Sequence, residues 1–163
     1  AIIKALKDFP MINSSVDGDK IIIKKRINLG IAVALPGYNL IVPVIKNAEE
    51  KNFIGLARAI NDLAVRTRSK RLTPADIEGG TFTFTNYGVF GNIIGIPIIN
   101  QPNVAILGIG AIKKQPVVIN DAIAIRSISY LTLSFDHRIV DGALGGMFIE
   151  RVVKYLEEFE FKN

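Results

Sequence analysis

The chain's only histidine, His137, stands in the string Ser134-Phe135-Asp136-His137-Arg138-Ile139-Val140-Asp141-Gly142, four residues before an aspartate. Imidazole has the unperturbed pKa nearest neutrality, so a histidine fixed at the end of a buried strand can accept and return a proton near pH 7. The string occupies such a junction: an apolar strand-like run precedes it and a helical period follows. A lone histidine also fits a packed or solvated role. Asp141 fits a helix cap equally well, because a carboxylate at a helix start is favoured by the unsatisfied amides and the dipole.

The nine-residue string resembles the active-site signature of the dihydrolipoamide acyltransferases, the core components of the 2-oxo acid dehydrogenase complexes. Further segments resemble that family's catalytic domain, in the family's order. They are Asn28-Leu29-Gly30-Ile31-Ala32-Val33-Ala34 with Ile41-Val42-Pro43-Val44-Ile45-Lys46-Asn47-Ala48, then Gly79-Gly80-Thr81-Phe82-Thr83-Phe84-Thr85-Asn86-Tyr87-Gly88, then Ile98-Ile99-Asn100-Gln101-Pro102-Asn103-Val104-Ala105-Ile106-Leu107-Gly108. The resemblance covers essentially the whole chain. A shorter His-x-x-x-Asp-Gly likeness extends to chloramphenicol acetyltransferase, which is similar to this family in fold. The fold so implied is α/β: a two-layer, chloramphenicol-acetyltransferase-like sandwich, a mixed β-sheet with helices on one face, assembled as a trimer.

The resemblance also implies a chemistry. A thiol is mostly protonated at neutral pH and reacts as thiolate, so a neutral imidazole within hydrogen-bond reach can serve as general base. The resemblance assigns the thiol to coenzyme A, a substrate, and the electrophile to an acyl thioester on a dihydrolipoyl-lysine arm carried by a separate domain. Attack creates an oxyanion that needs a donor aimed at the developing charge. In the family this is a hydroxyl, usually serine, and the matching position is Thr85. The departure keeps the donor but stiffens the rotamer. Thr85 also reads as an ordinary β-branched strand residue. Asp141 is placed at the active site as an organiser, and Arg138, Gly142 and Asn86 are assigned support: an ion pair, backbone room and a loop contact. Arg68, Lys70 and Arg71 are candidate contacts for the CoA phosphates.

The implied partners are two further copies of the chain, with His137 of one facing Thr85 of the next, the lipoyl domain, a 2-oxo acid decarboxylase and dihydrolipoamide dehydrogenase. Trimers of the family join at their corners into cages of twenty-four or sixty subunits, and Phe159 and Phe161 are the candidate corner contacts. Two other readings compete: a free-standing CoA-dependent O-acyltransferase, and a non-catalytic structural core module.

Composition agrees with one enzyme domain over residues 1–163, about half of them apolar (49%), enough for a sizeable core. The absence of cysteine excludes a disulfide framework, a thiolate metal site and a cysteine nucleophile, and a single histidine excludes a multi-histidine metal centre; no metal is expected. The net charge of +5 includes Lys24-Lys25-Arg26 and the run Arg66-Thr67-Arg68-Ser69-Lys70-Arg71. Neither run is interleaved with aromatics suited to stacking bases, so a phosphorylated small molecule is a better acidic partner than nucleic acid, and a solvated face is the bland reading. No stretch has the length of a membrane span, and the expected location is the cytoplasm of a prokaryote or the matrix of a mitochondrion.

The elements that must hold His137 and Thr85 follow from periodicity. Ala1 to Phe9 reads as the last turns of a helix stopped by Pro10, with the N-terminal part of the domain expected to be missing. Strands are expected at Lys20 to Lys25, Leu29 to Ala34, Leu40 to Ile45 and at 81–85, 93–98, 104–109, 116–125 and 128–135, with 104–109 and 128–135 covered on both faces. A helix over 52–69 presents Phe53, Leu56, Ala57, Ile60, Leu63 and Ala64 as one stripe, with Arg58, Asp62 and Arg66 as ion pairs on another face. A last helix opens at Asp141. Gly108-Ile109-Gly110-Ala111-Ile112-Lys113 fails as a dinucleotide fingerprint, because lysine takes the third glycine's place, and its glycines are expected to permit close packing.

Overall fold

The structure, a computed structural model, describes residues 1–37 and 39–160. Among them are three α-helices, α1 (Ile2–Asp8), α2 (Phe53–Arg68) and α3 (Gly142–Glu157). The strands, in chain order, are β1 (Ser14–Asp17), β2 (Lys20–Ile23), β3 (Leu29–Ile31), β4 (Val33–Leu35), β5 (Asn39–Ile41), β6 (Val44–Ile45), β7 (Phe82–Asn86), β8 (Ala105–Ile109), β9 (Lys113–Ile119), β10 (Ala122–Ile128) and β11 (Leu131–Phe135).

Five strands make the central sheet in the order β11-β8-β7-β3-β6. The inner three are parallel and the two edges antiparallel, so the expected mixed sheet is present. Alternation along each strand decides which side meets the helices. Leu29, Phe82, Ala105 and Leu107 point into a core with Leu6 of α1, Leu63 of α2 and Phe148 and Val152 of α3. The Phe82 and Phe148 rings lie 5.7 Å apart and Phe9 meets Phe148 edge-on at 6.3 Å. Thr83, Thr85, Gly108 and Thr132 alternate to the opposite face. There the segment after β7 closes over them. The Tyr87 hydroxyl lies 2.8 Å from the Thr132 hydroxyl, which donates to the Gly95 carbonyl at 2.7 Å.

Several expected strands divide differently. Leu29 to Ala34 is two strands, because the chain leaves the central sheet at Ala32, whose amide donates to Phe84, and β4 pairs with β5 instead. Pro43, which cannot donate to a ladder, likewise separates β5 from β6. The 116–125 segment is a hairpin rather than one strand. Asn120 and Asp121 both have positive φ (49° and 60°), the requirement of a tight two-residue turn between β9 and β10. Residues 93–98 form no strand: Gly95 and Pro97 interrupt the run, and Ile96 and Ile98 stay 87% and 88% exposed. β8 is buried along almost its whole length, but β11 is half-buried throughout, since it is an edge strand with β8 as its partner. Asp62 pairs with Arg66 as expected, whereas Arg58 has no ion pair among the described residues.

α3 reaches β11 closely because Gly145 lacks a side chain. A Cβ there would stand 2.8 Å from Phe135 Cε1, and Phe135 is the strand residue two before His137. Gly145→Val is therefore expected to lower stability by about 1–3 kcal/mol through overpacking, read as a lower midpoint in denaturant titration. Gly142→Ala is the matched control, because a Cβ at Gly142 meets nothing within 4 Å.

Candidate active site

β11 ends at Phe135 and the chain turns through Asp136 to Val140 before α3. The turn is held at both ends. The Asp136 amide donates to Val104 at 2.8 Å, its carbonyl accepts from Ile139 and Val140 at 3.0 Å, and the Val140 side chain is fully buried. The Asp136 carboxylate is gripped by Arg138, whose Nη2 lies 2.6 Å and Nε 3.0 Å away, and it also accepts from the Arg138 amide. That guanidinium holds the Asp136 carboxyl below the usual carboxylate range. Arg138 and Asp136 thus form an ion pair within the turn. His137 stands exposed at the apex, its ring 5.6 Å from the Phe135 ring.

Asp141 is the N-cap of α3 and accepts from the Leu144 amide at 2.8 Å. Gly142, the first residue of α3, has open space around it, so the backbone room expected of it is not demanded by any contact within the chain. Thr85 is half-buried on β7, and Asn86, exposed at the strand's end, makes no side-chain hydrogen bond among the described residues; the loop contact expected of it is not found. Gly108 and Gly110 do permit close packing. A Cβ at Gly108 would stand 2.4 Å from the Tyr87 ring, and one at Gly110 1.9 Å from the Ile93 carbonyl oxygen.

The register separates His137 from Thr85 within one chain. Thr85 is level with Gly108, which is level with Thr132, whereas Phe135 is level with Ala105 at the other end of β8. Three residues of rise and two strand spacings put Phe135 about 14 Å from Thr85, and His137 lies beyond that end.

Arg68 is the last residue of α2, Lys70 and Arg71 follow its cap, and all three are exposed; Arg71 Nε donates to the Ser69 hydroxyl at 2.9 Å. Arg66 in the same run is committed to Asp76 through two 2.9 Å hydrogen bonds, which hold the Asp76 carboxyl well below its usual range. The cavity beside Asp136 and Arg138 is lined by Val16, Gly18, Gln101, Pro102 and Asn103, not by this run. Composition and spacing missed the amides that shape this end of the sheet. Asn28 donates to the Gly79 carbonyl at 2.8 Å and accepts from the Asn47 amide at 3.0 Å, and buried Asn103 donates to the Thr83 hydroxyl at 3.0 Å. Each bond joins residues distant in the chain, so no local pattern announces it. Of the tail contacts, Phe159 lies 5.5 Å from the Phe53 ring, and Phe161 lies outside the described residues.

A mixed sheet with helices on one face and a histidine at the strand-to-helix turn is the architecture of an acyltransferase catalytic core. The structure superimposes on the probable dihydrolipoamide acetyltransferase of Listeria monocytogenes with a TM-score of 0.95, at 48% identity, over 99% of this chain and 69% of that one. It superimposes on the dihydrolipoamide acetyltransferase of Azotobacter vinelandii with a TM-score of 0.91, at 37% identity, over 96% of this chain and 67% of that one. The family profile of the 2-oxoacid dehydrogenases acyltransferase catalytic domain matches residues 1–162, and the chain belongs to that family. The lipoamide acyltransferase component of the branched-chain α-keto acid dehydrogenase complex of Bacillus subtilis is 49% identical over 100% of this chain. The chain spans 38% of that relative's length.

Proposed function

We propose that this chain is the catalytic domain of a dihydrolipoyllysine-residue acyltransferase, moving an acyl group between dihydrolipoyl-lysine and coenzyme A in the core of a 2-oxo acid dehydrogenase complex. His137 takes the proton from the CoA thiol as the sulfur attacks the thioester carbonyl. The tetrahedral oxyanion accepts from the Thr85 hydroxyl, and its collapse expels the dihydrolipoyl sulfur, which recovers the proton from the imidazolium. The lipoyl group arrives on a separate domain.

One observation carries the residue assignment. Crystallographic and enzymatic work on the Azotobacter enzyme addresses the role of a serine, a histidine and an asparagine in its catalytic mechanism, the serine fifty-two residues before the histidine and the asparagine four after. Thr85, His137 and Asp141 have the same two intervals; threonine keeps the serine's hydroxyl, while the aspartate keeps the asparagine's acceptor oxygen and replaces its N–H donors with a charge. The register supports a site shared between copies, since the hydroxyl and the imidazole of one chain sit at opposite ends of the sheet. A cyclic trimer, in which each chain offers its Thr85 end to a neighbour's His137 end, satisfies that geometry. A cubic core is the form described for a related pyruvate dehydrogenase complex, 37% identical, and a cage with decarboxylase and dihydrolipoamide dehydrogenase partners is proposed here on that likeness.

The test is CoA-dependent transfer from acyl-dihydrolipoamide, run with acetyl, succinyl and branched-chain donors. Turnover with one of them supports the reading; a chain that transfers only to a small alcohol favours the free-standing O-acyltransferase, and one that transfers nothing is a structural module. Asp141 separates its two roles in the same assay. Asp141→Asn keeps an N-cap acceptor and is expected to retain stability and most turnover, whereas Asp141→Ala loses about 1 kcal/mol of stability with the cap. Loss of turnover in Asp141→Asn at unchanged stability assigns the carboxylate a charge-dependent catalytic part.

A further inference from the structure

Tyr87 follows β7 directly, two places after Thr85, and the mechanism gives it no part. Its backbone leaves the strand conformation at φ −89° and ψ −7°, and this turn folds the ring back over the sheet. Thr85, Gly108 and Thr132 stand side by side on β7, β8 and β11, on the face away from the helices. Gly108 leaves the middle of that row empty, and the Tyr87 ring takes the space: a Cβ at Gly108 would stand 2.4 and 3.3 Å from two ring carbons. Gly95, from the segment that closes over this face, approaches as tightly, since a Cβ there would lie 2.9 Å from the nearest ring carbon.

The ring is anchored as well as packed. Thr132 has one hydroxyl proton and donates it to the Gly95 carbonyl at 2.7 Å, an oxygen that can only accept. The 2.8 Å bond between the two hydroxyls therefore runs from Tyr87 to Thr132. That chain of bonds occupies the Thr132 hydroxyl, and Asn103 donates to the Thr83 hydroxyl at 3.0 Å. Of the three threonines on this face, Thr85 alone has a hydroxyl with no hydrogen bond among the described residues.

We infer that Tyr87 is the positioning residue for the Thr85 hydroxyl. Its ring walls off the β8 side of Thr85, so the hydroxyl can neither turn into the space over Gly108 nor meet water there, and it stays available to the oxyanion. The inference rests on the acyl-transfer reading for the purpose of the hydroxyl, whereas the wall belongs to the chain without substrate. An oxyanion donor is effective when it is aimed before the charge develops, and a threonine side chain has separate χ1 wells to choose among. Without the ring, the gap would be bordered by the hydroxyls of Thr85 and Thr132 and the Gly95 carbonyl, polar partners enough to hold a water. That water would compete for the Thr85 hydroxyl.

Three-bond couplings to the Thr85 γ-methyl carbon, measured by NMR on the intact protein with labelled threonine, report the χ1 populations without any acyl donor. A single well is expected in the wild type and an average over wells in Tyr87→Ala, whereas Tyr87→Phe keeps the ring and should keep the single well. In acyl transfer, Tyr87→Ala is expected to lower kcat about tenfold, about threefold from the released wells and the rest from the competing water, with the KM for CoA unchanged. Tyr87→Phe should stay within about threefold of wild type, since only the anchoring bond is lost. Packing alone does not produce the next result: in a Thr85→Ala background Tyr87→Ala should cost no further turnover, because the hydroxyl it acts through is already gone. A single well retained in Tyr87→Ala overturns the inference, as does an additive loss of turnover in the Thr85→Ala background. Should Tyr87→Ala fail to fold, Tyr87→Leu, which fills the space over Gly108 only in part, is read in the same way. A wild-type chain that transfers no acyl group, with Thr85 couplings that average in Tyr87→Ala, keeps the wall and sinks the acyltransferase reading.

Discussion

His137→Ala is expected to lower the turnover of acyl transfer by about 10²–10⁴ while CoA binding changes little, because proton removal from the thiol is an interaction made in the transition state. The structure makes the substitution a clean one. His137 is exposed at the apex of its turn, and the turn is held by Asp136, Arg138 and the buried Val140 rather than by the imidazole. Truncation therefore removes the base and leaves its mount. Turnover and the melting temperature measured on the same preparation check this: retention of more than a third of wild-type turnover excludes His137 as the base. Raising the pH should partly restore the variant, because the thiolate fraction of CoA then grows without a base.

How much of this site was legible in the sequence depended on whether the determining interactions were local. The junction at His137 was readable because an apolar strand run and a helical period meet there, and the Asp141 cap because a carboxylate before a helix has one standard use. The stripe on α2 was readable too, though its Phe53 and Ile60 remain 55% and 41% exposed above an open apolar groove between α2, α1, α3 and the sheet. The departure of β4 from the central sheet was not readable, since Leu29 to Ala34 is uniformly apolar and only the partners, Phe82 to Phe84 on one side and Val44 to Ile45 on the other, decide where pairing stops. Asn120-Asp121 escaped notice because it makes a positive-φ turn without glycine. The isoleucines between Ile93 and Ile98 imitate a strand, but Gly95 and Pro97 withhold the regular ladder a strand needs. Composition flagged Lys24-Lys25-Arg26 only as charge; the cavity beside it exists because residues near positions 13, 28, 79 and 103 converge, which a linear reading does not contain.

Thr85→Ala is expected to lower turnover by about 10²–10³, the usual cost of one oxyanion donor, while Thr85→Ser stays near wild type because it keeps the hydroxyl and drops only the methyl. Equal losses in both variants would assign Thr85 a packing role on the face closed by Tyr87 and Thr132. The larger consequence concerns assembly. In one chain Thr85 and His137 stand at opposite ends of the five-stranded sheet, so neither can serve the other across their own subunit. Two inactive variants should then complement each other. When His137→Ala and Thr85→Ala chains are dissociated, mixed in equal amounts and reassembled into rings, about one interface in four receives an intact imidazole from one side and an intact hydroxyl from the other. Turnover should recover to roughly a quarter of wild type, far above the 10²–10³-fold reduced parents, and mass spectrometry of the reassembled rings verifies the exchange. A mixture that exchanges subunits but recovers nothing places hydroxyl and imidazole in separate functions.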